Sequence, residues 1–194
     1  MLYNFTFFFN SILLGIGLAM DAFSVSLANG MNEPKMKKTR MGLIAGIFSL
    51  FQFAMPLIGY ICVSTIAQYF KEFQKLIPYI ALILLCYIGG KMLFEGIKNR
   101  GEEAKKESVS FVSFIIQGIA TSIDALSVGF TIADYNFLGA LLSCLIIGVV
   151  TFFICFAGIY IGKKAGVVLS GKAEILGGAI LIFIGLEIFI KSLF

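Results

Sequence analysis

Histidine is absent from this chain, which removes imidazole acid–base catalysis and the nitrogen ligands favoured by zinc and copper. Charge is scarce: 13% of the residues are charged against 59% hydrophobic, and a soluble domain usually carries about twice that charge. The four cysteines, Cys62, Cys86, Cys144 and Cys155, stand singly in apolar segments. That spacing excludes a disulfide framework or a thiolate metal site and reads as small core residues. No Gly-x-x-x-x-Gly-Lys-Ser/Thr run occurs, so nothing resembles an ATP-binding loop. No polar stretch between apolar runs is long enough for a soluble domain. What remains is an integral membrane protein whose chemistry lies within the bilayer or at its rim, and whose ligands are oxygen atoms.

Six apolar runs are each long enough to span, at about 20 residues per crossing: 6–29, 41–65, 77–97, 110–133, 137–162 and 174–193. The expected fold is all-α, with six transmembrane helices in a single membrane domain over 1–194. Ser26-Leu27-Ala28 imitates a signal-peptide cleavage site, but no basic residue precedes the first run and the run is too long for an h-region, so it is expected to be retained. The excess of 15 Lys and Arg over 11 Asp and Glu could suggest nucleic acid. Most of these bases instead occupy short loops beside apolar runs, which reads as membrane orientation. Lys35, Lys37, Lys38, Arg40, Lys98, Arg100, Lys105, Lys106, Lys163, Lys164 and Lys172 fall on one side, against Lys71, Lys75 and Lys191 on the other. The positive-inside rule makes the first side cytoplasmic and places both termini outside the cell membrane.

Two phrases repeat: Asp21-Ala22-Phe23-Ser24-Val25 and Asp124-Ala125-Leu126-Ser127-Val128. Gln52-Phe53 with Gly59 likewise matches Thr151-Phe152 with Gly158, and Ile88-Gly89 matches Ile184-Gly185. The halves 1–100 and 101–194 are therefore expected to be two three-helix repeats, and an odd number of spans makes the second inverted relative to the first. Inverted repeats place a transport site near the midplane between the halves.

A carboxylate at the centre of a spanning helix costs about 2.5–3.5 kcal/mol on insertion scales, so two of them require compensation, most simply by a cation or protons. Helical spacing sets Gly17, Asp21, Ser24 and Ala28 on one face, and Gln117, Thr121, Asp124, Ser127 and Thr131 on another. Ser24, Thr121, Ser122 and Ser127 are candidate supporting groups, although serines and small residues also serve simply to pack helices. Pro56 clashes with the carbonyl of Gln52 and offers it no N–H, so Gln52 is a candidate ligand through its main-chain and amide oxygens; the alternative is a purely structural kink. Carboxylates, hydroxyls and carbonyls suit hard divalent cations. Met20 is expected to pack rather than to ligate. Lys91 and Glu95 lie one turn apart and suit a pair or snorkelling. Glu187 aligns with Lys91 between the halves, which suggests an inter-repeat ion pair or a proton path.

Gly17-Leu18-Ala19-Met20-Asp21-Ala22-Phe23, Pro56-Leu57-Ile58-Gly59, Ala120-Thr121-Ser122-Ile123-Asp124-Ala125 and Lys172-Ala173-Glu174-Ile175-Leu176-Gly177-Gly178, taken in order, resemble the bacterial manganese efflux pumps called MntP. The resemblance covers essentially the whole chain. It implies a six-helix inner-membrane exporter of Mn²⁺ within the lysine-exporter-like transporters, with both repeat aspartates essential. Gln52 stands where some relatives carry Glu, so a third carboxylate is missing there, and Tyr60 stands where the family usually has Trp.

Export of a divalent cation against an inside-negative potential costs about 4.6 kcal/mol per 100 mV. Without a nucleotide site, exchange for protons at the two aspartates is the expected coupling. Manganese is then a transported substrate, no cofactor and no enzymatic activity are expected, and the partners are the divalent ion, protons and the lipid bilayer. Two copies could associate as a homodimer. A passive divalent-cation channel and a basic amino-acid exporter are the alternatives. An intramembrane aspartyl protease would also use two aspartates, but its Gly-x-Gly-Asp phrase is missing.

Overall fold

The computed structural model describes residues 4–65, 79, 82–83, 85–91, 93–94, 97, 110–168 and 173–193, and every regular element among them is helical. The chain runs through α1 (Phe5–Asn32), α2 (Lys38–Thr65), α3 (Phe111–Thr121), α4 (Ala125–Thr131), α5 (Phe137–Val168) and α6 (Ala173–Leu193). The described residues between 79 and 97 are also helical. Among the described residues, three stretches are long and apolar enough to cross a membrane: Phe5–Asn32, Lys38–Cys62 and Phe137–Gly166. At 1.5 Å per residue, α1 is about 42 Å long, more than the hydrocarbon thickness.

Local sequence fixes the helix ends. Asn4 starts α1, its side chain accepting from Phe7 N at 3.1 Å, and Glu33 N closes the last turn on Asn29 O at 3.1 Å. Asn136 caps α5 by accepting from Gly139 N at 2.8 Å. These caps satisfy end donors that lipid could not. Pro56 lies inside α2, which continues through it to Thr65.

The fourth apolar run departs from expectation. It is two helices, α3 and α4, separated by a turn over 122–124. The face predicted to run from Gln117 to Thr131 is accordingly interrupted: Gln117 and Thr121 are buried, whereas Asp124, Ser127 and Thr131 are exposed. Ser122 supplies the physical reason. Its hydroxyl donates to Gly118 O at 2.7 Å and to Ile119 O at 3.1 Å, and its N–H bonds to Ile119 O at 3.2 Å. End carbonyls of α3 are thereby satisfied without another α-helical turn, the competition that Ser and Thr offer to a helical backbone.

Without a hydrophobic drive between helices in lipid, close backbone contact becomes the main source of association. Among the described residues glycines provide it along several seams, including α1 with α5, α2 with α4, and Gly89 with Gly178. On α5, a Cβ at Gly162 would strike Leu27 O, one at Gly166 would lie 2.5 Å from Met31 O, and one at Gly158 would lie 3.0 Å from Phe23 O. From α1, a Cβ at Gly30 would strike Ile159 O. The second seam joins α2 to α4, where a Cβ at Gly59 would strike Leu126 O and one at Gly129 would strike Tyr60 N. A main core of Val25, Ala28, Ile44, Phe48, Phe114 and Ile159, among others, fills the space between α1, α2, α3 and α5. Phe5, Leu50, Phe153 and Tyr160 stay exposed on the outside, as lipid-facing positions require.

Candidate functional site

The amide of Gln52 bridges α1 and α3 a few residues before the two aspartates. It is fully buried (0% exposed), and its Nε2 donates to Leu18 O and to Thr121 O, each at 3.0 Å. Those two carbonyls hold the same place in the repeat, three residues before Asp21 and three before Asp124. One nitrogen bonds both, so they lie no farther apart than twice that distance. The orientation of the amide follows from its partners, because two carbonyl acceptors demand the NH₂ end. Gln52 Oε1 is therefore the outward atom, and it is buried without a hydrogen-bond partner. Leaving such an acceptor unpaired costs about 1–3 kcal/mol. Thr151, whose Thr-Phe pair was matched in sequence with Gln52-Phe53, likewise has a buried Oγ1 without a partner.

Asp21 sits in the unbroken middle of α1 and is half-buried; Asp124 sits in the turn between α3 and α4 and is exposed, its carbonyl accepting from Ser127 N at 2.9 Å. Of the candidate supporting groups, Ser24 donates to Met20 O at 3.1 Å, Thr121 to Gln117 O at 2.9 Å, and Ser122 to Gly118 O. With their protons committed to main-chain carbonyls, these hydroxyls keep lone pairs for another partner. Ser127 is exposed. Met20 is 50% exposed and does not join the core, contrary to expectation; its side chain leaves the face that carries Leu18 and Ala22. Lys91 is exposed, while Glu95 and the side chain of Glu187 lie outside the described residues. No group of three or more His, Cys, Asp or Glu among the described residues is placed to hold a metal. Amide, hydroxyl and main-chain oxygens would have to complete any coordination shell here.

Two features flank this level. At the end of the bundle carrying Tyr135, a groove of about 480 Å³ runs between α1 and the α4 side, lined by Asn10, Leu13, Gly17, Leu18, Thr131 and Tyr135 among others. It reaches the level of Leu18, and a Cβ placed at Gly17 would meet no atom within 4 Å. Toward the other end, Asn29 Nδ2 donates to Gln117 Oε1 at 2.7 Å. Both residues are buried, at 1% and 0% exposed, and both Asn29 Oδ1 and Gln117 Nε2 are left without a partner. Beyond them, Arg40 pairs with Glu33 at 3.0 Å and lies over the Phe114 ring, and Lys163 Nζ donates to Met36 O.

A family model described as "Putative manganese efflux pump" matches residues 35–189. The chain belongs to the MntP family. Among curated MntP proteins, a "Putative manganese efflux pump MntP" of Methanobrevibacter smithii is 44% identical over 177 residues, covering 91% of this chain and 94% of that one. A Clostridium perfringens protein of the same name is 40% identical over 203 residues, covering 93% and 92%. One from Methanosphaera stadtmanae is 42% identical over 177 residues, covering 91% and 96%. No solved structure matches. Membership in the MntP family, together with the apolar helices, makes this a multi-pass membrane protein.

Asn29 escaped the sequence reading. It lies near the end of the first apolar run and looks there like a loop-proximal polar residue. The available signal was its spacing: Asp21, Val25 and Asn29 follow at four-residue intervals on one face. Gln117 was placed on the face of Asp124, but its partner is on α1 and no local pattern announces a contact 88 residues away.

Proposed function

We propose that this chain exports Mn²⁺ from the cytoplasm in exchange for protons, with Asp21, Asp124 and Gln52 Oε1 as ligands to the ion. The observation that carries the reading is the Gln52 amide: it ties together the carbonyls that precede the two aspartates and leaves its own oxygen unpaired at the same level. Carboxylate and carbonyl oxygens suit Mn²⁺, and the names of the relatives point to the same ion. The matched contacts of Gly59 with Leu126 O and of Gly158 with Phe23 O support two inverted halves, 1–100 and 101–194, since these pairs correspond in the repeat.

In this mechanism the ion leaves toward the outside and each aspartate takes up a proton in its place. The next ion displaces both protons toward the cytoplasm. One divalent cation for two protons moves no net charge, which cancels the voltage cost. Ser24, Thr121, Ser122 and Ser127 support the ligands, Glu187 is the candidate proton path, and both termini lie outside. No bond of a substrate is made or broken.

The test is Mn²⁺ uptake into inside-out vesicles with and without an imposed pH gradient. Native protein is expected to accumulate the ion only with the gradient, and Asp21→Asn and Asp124→Asn to insert normally but accumulate none. Uptake that only equilibrates Mn²⁺ regardless of the gradient would instead indicate a channel, and competition by lysine an amino-acid exporter.

A further inference from the structure

We infer that Asn29 and Gln117 form a second, shallower station for the divalent cation, between the aspartate level and the basic end of the bundle; this rests on the transport function proposed above. The pair is buried between α1 and α3, yet it retains one acceptor and one donor without partners. Carboxamides that served only to hold two helices together would pair both groups or face them to the backbone. Rotation of the Asn29 amide brings its Oδ1 beside Gln117 Oε1, exchanging one mutual hydrogen bond for two ion–dipole contacts.

Position favours transit. Asn29 follows Asp21 by eight residues, about 12 Å along the helix axis. Hydrogen bonds step residue by residue from the site to the pair: Gln52 Nε2 to Thr121 O, Thr121 Oγ1 to Gln117 O, and Asn29 Nδ2 to Gln117 Oε1. The backbone carries the series on, since Asn29 O accepts from Glu33 N, and Glu33 pairs with Arg40. The groove gives access to Leu18 from the opposite end, whereas Val25, Ala28, Phe48 and Phe114 close the core around this level. The amide pair lies between the basic end and the aspartate level, on the side away from the groove. Neutral oxygens suit such a place, because passage needs binding strong enough to admit the ion and weak enough to release it.

The experiment compares native protein, Asn29→Leu, Gln117→Met and Asp124→Asn, all full length and in lipid vesicles or nanodiscs. Two quantities are read: equilibrium Mn²⁺ binding without a gradient, and the initial rate of gradient-driven Mn²⁺ uptake from the basic side. Asn29→Leu and Gln117→Met are expected to keep the tight binding of the aspartate site, losing only the weaker second site, and to lose about tenfold or more in rate, the scale of losing a supporting partner near a metal. Asp124→Asn should lose both. Native rates in the two amide variants would overturn the inference, and so would loss of the tight equilibrium binding in a folded variant, which would make the pair part of the aspartate site. If Asn29→Leu does not fold, Asn29→Ser removes the carboxamide with less disturbance: a reduced rate supports the station and a native rate overturns it. Native protein that neither binds nor moves Mn²⁺ would overturn the transport function, and this inference with it.

Discussion

Asp21 and Asp124 begin nearly the same phrase, yet one stands in an unbroken helix and the other in a turn between two helices. The residues just before them account for the difference. Leu18, Ala19 and Met20 are strong helix formers, whereas their counterparts Thr121, Ser122 and Ile123 include two hydroxyls that bond back to the preceding turn and a β-branched side chain. The lesson is that two copies of one motif can share a bridging partner, Gln52, while differing in backbone.

Writing the first phrase into the second should have the largest effect. Ser122→Ala combined with Ile123→Met is expected to extend helical hydrogen bonding through 122–124, slow amide exchange there in micelles, and abolish Mn²⁺ uptake by re-aiming Asp124. Fast exchange retained at 122–124 would assign the break to packing instead of to local sequence.

The seams allow a milder comparison. Gly59→Ala forces a Cβ onto Leu126 O, while at Gly158 the nearest atoms are Phe23 Cδ2 at 2.9 Å and Phe23 O at 3.0 Å, and a ring edge can yield. Overpacking of this kind costs about 1–3 kcal/mol, with Gly59→Ala expected at the upper end and Gly158→Ala at the lower. Thermal unfolding in detergent, followed by circular dichroism, would rank them; equal losses would mean that both seams are equally rigid. Smallest of all should be Gly17→Ala, which gives the first phrase the alanine found at position 120. No atom lies within 4 Å, so the same measurement should show no loss, or a gain of about 0.5–1 kcal/mol from helix propensity.

The contrast also marks what the sequence discloses. Apolar run length located α1, α2 and α5 within a few residues, because lipid forces every spanning backbone into a helix. The glycines of the seams were visible as residues, and those at 59 and 158 had already been matched between the halves. The break in the fourth run was not foreseen. Pro56 draws attention because it deletes a hydrogen bond, yet one missing bond leaves α2 continuous, whereas hydroxyls that recapture carbonyls end α3 at Thr121. Gln52 was recognised as a candidate ligand through the proline, but its bridging role depends on two carbonyls brought in from α1 and α3. Asn29 depended on a partner from another helix altogether.

The glycine seam between α1 and α5 has a consequence for the surrounding bilayer. Where two backbones touch, no acyl chain fits between them, so the half of α1 bearing Asn29 is sealed against lipid along Gly158, Gly162 and Gly166. The opposite half is open at Gly17, beside a groove lined with Leu13, Leu14 and Val128. Lipid is therefore a competitor for space at one end of this molecule and a bystander at the other.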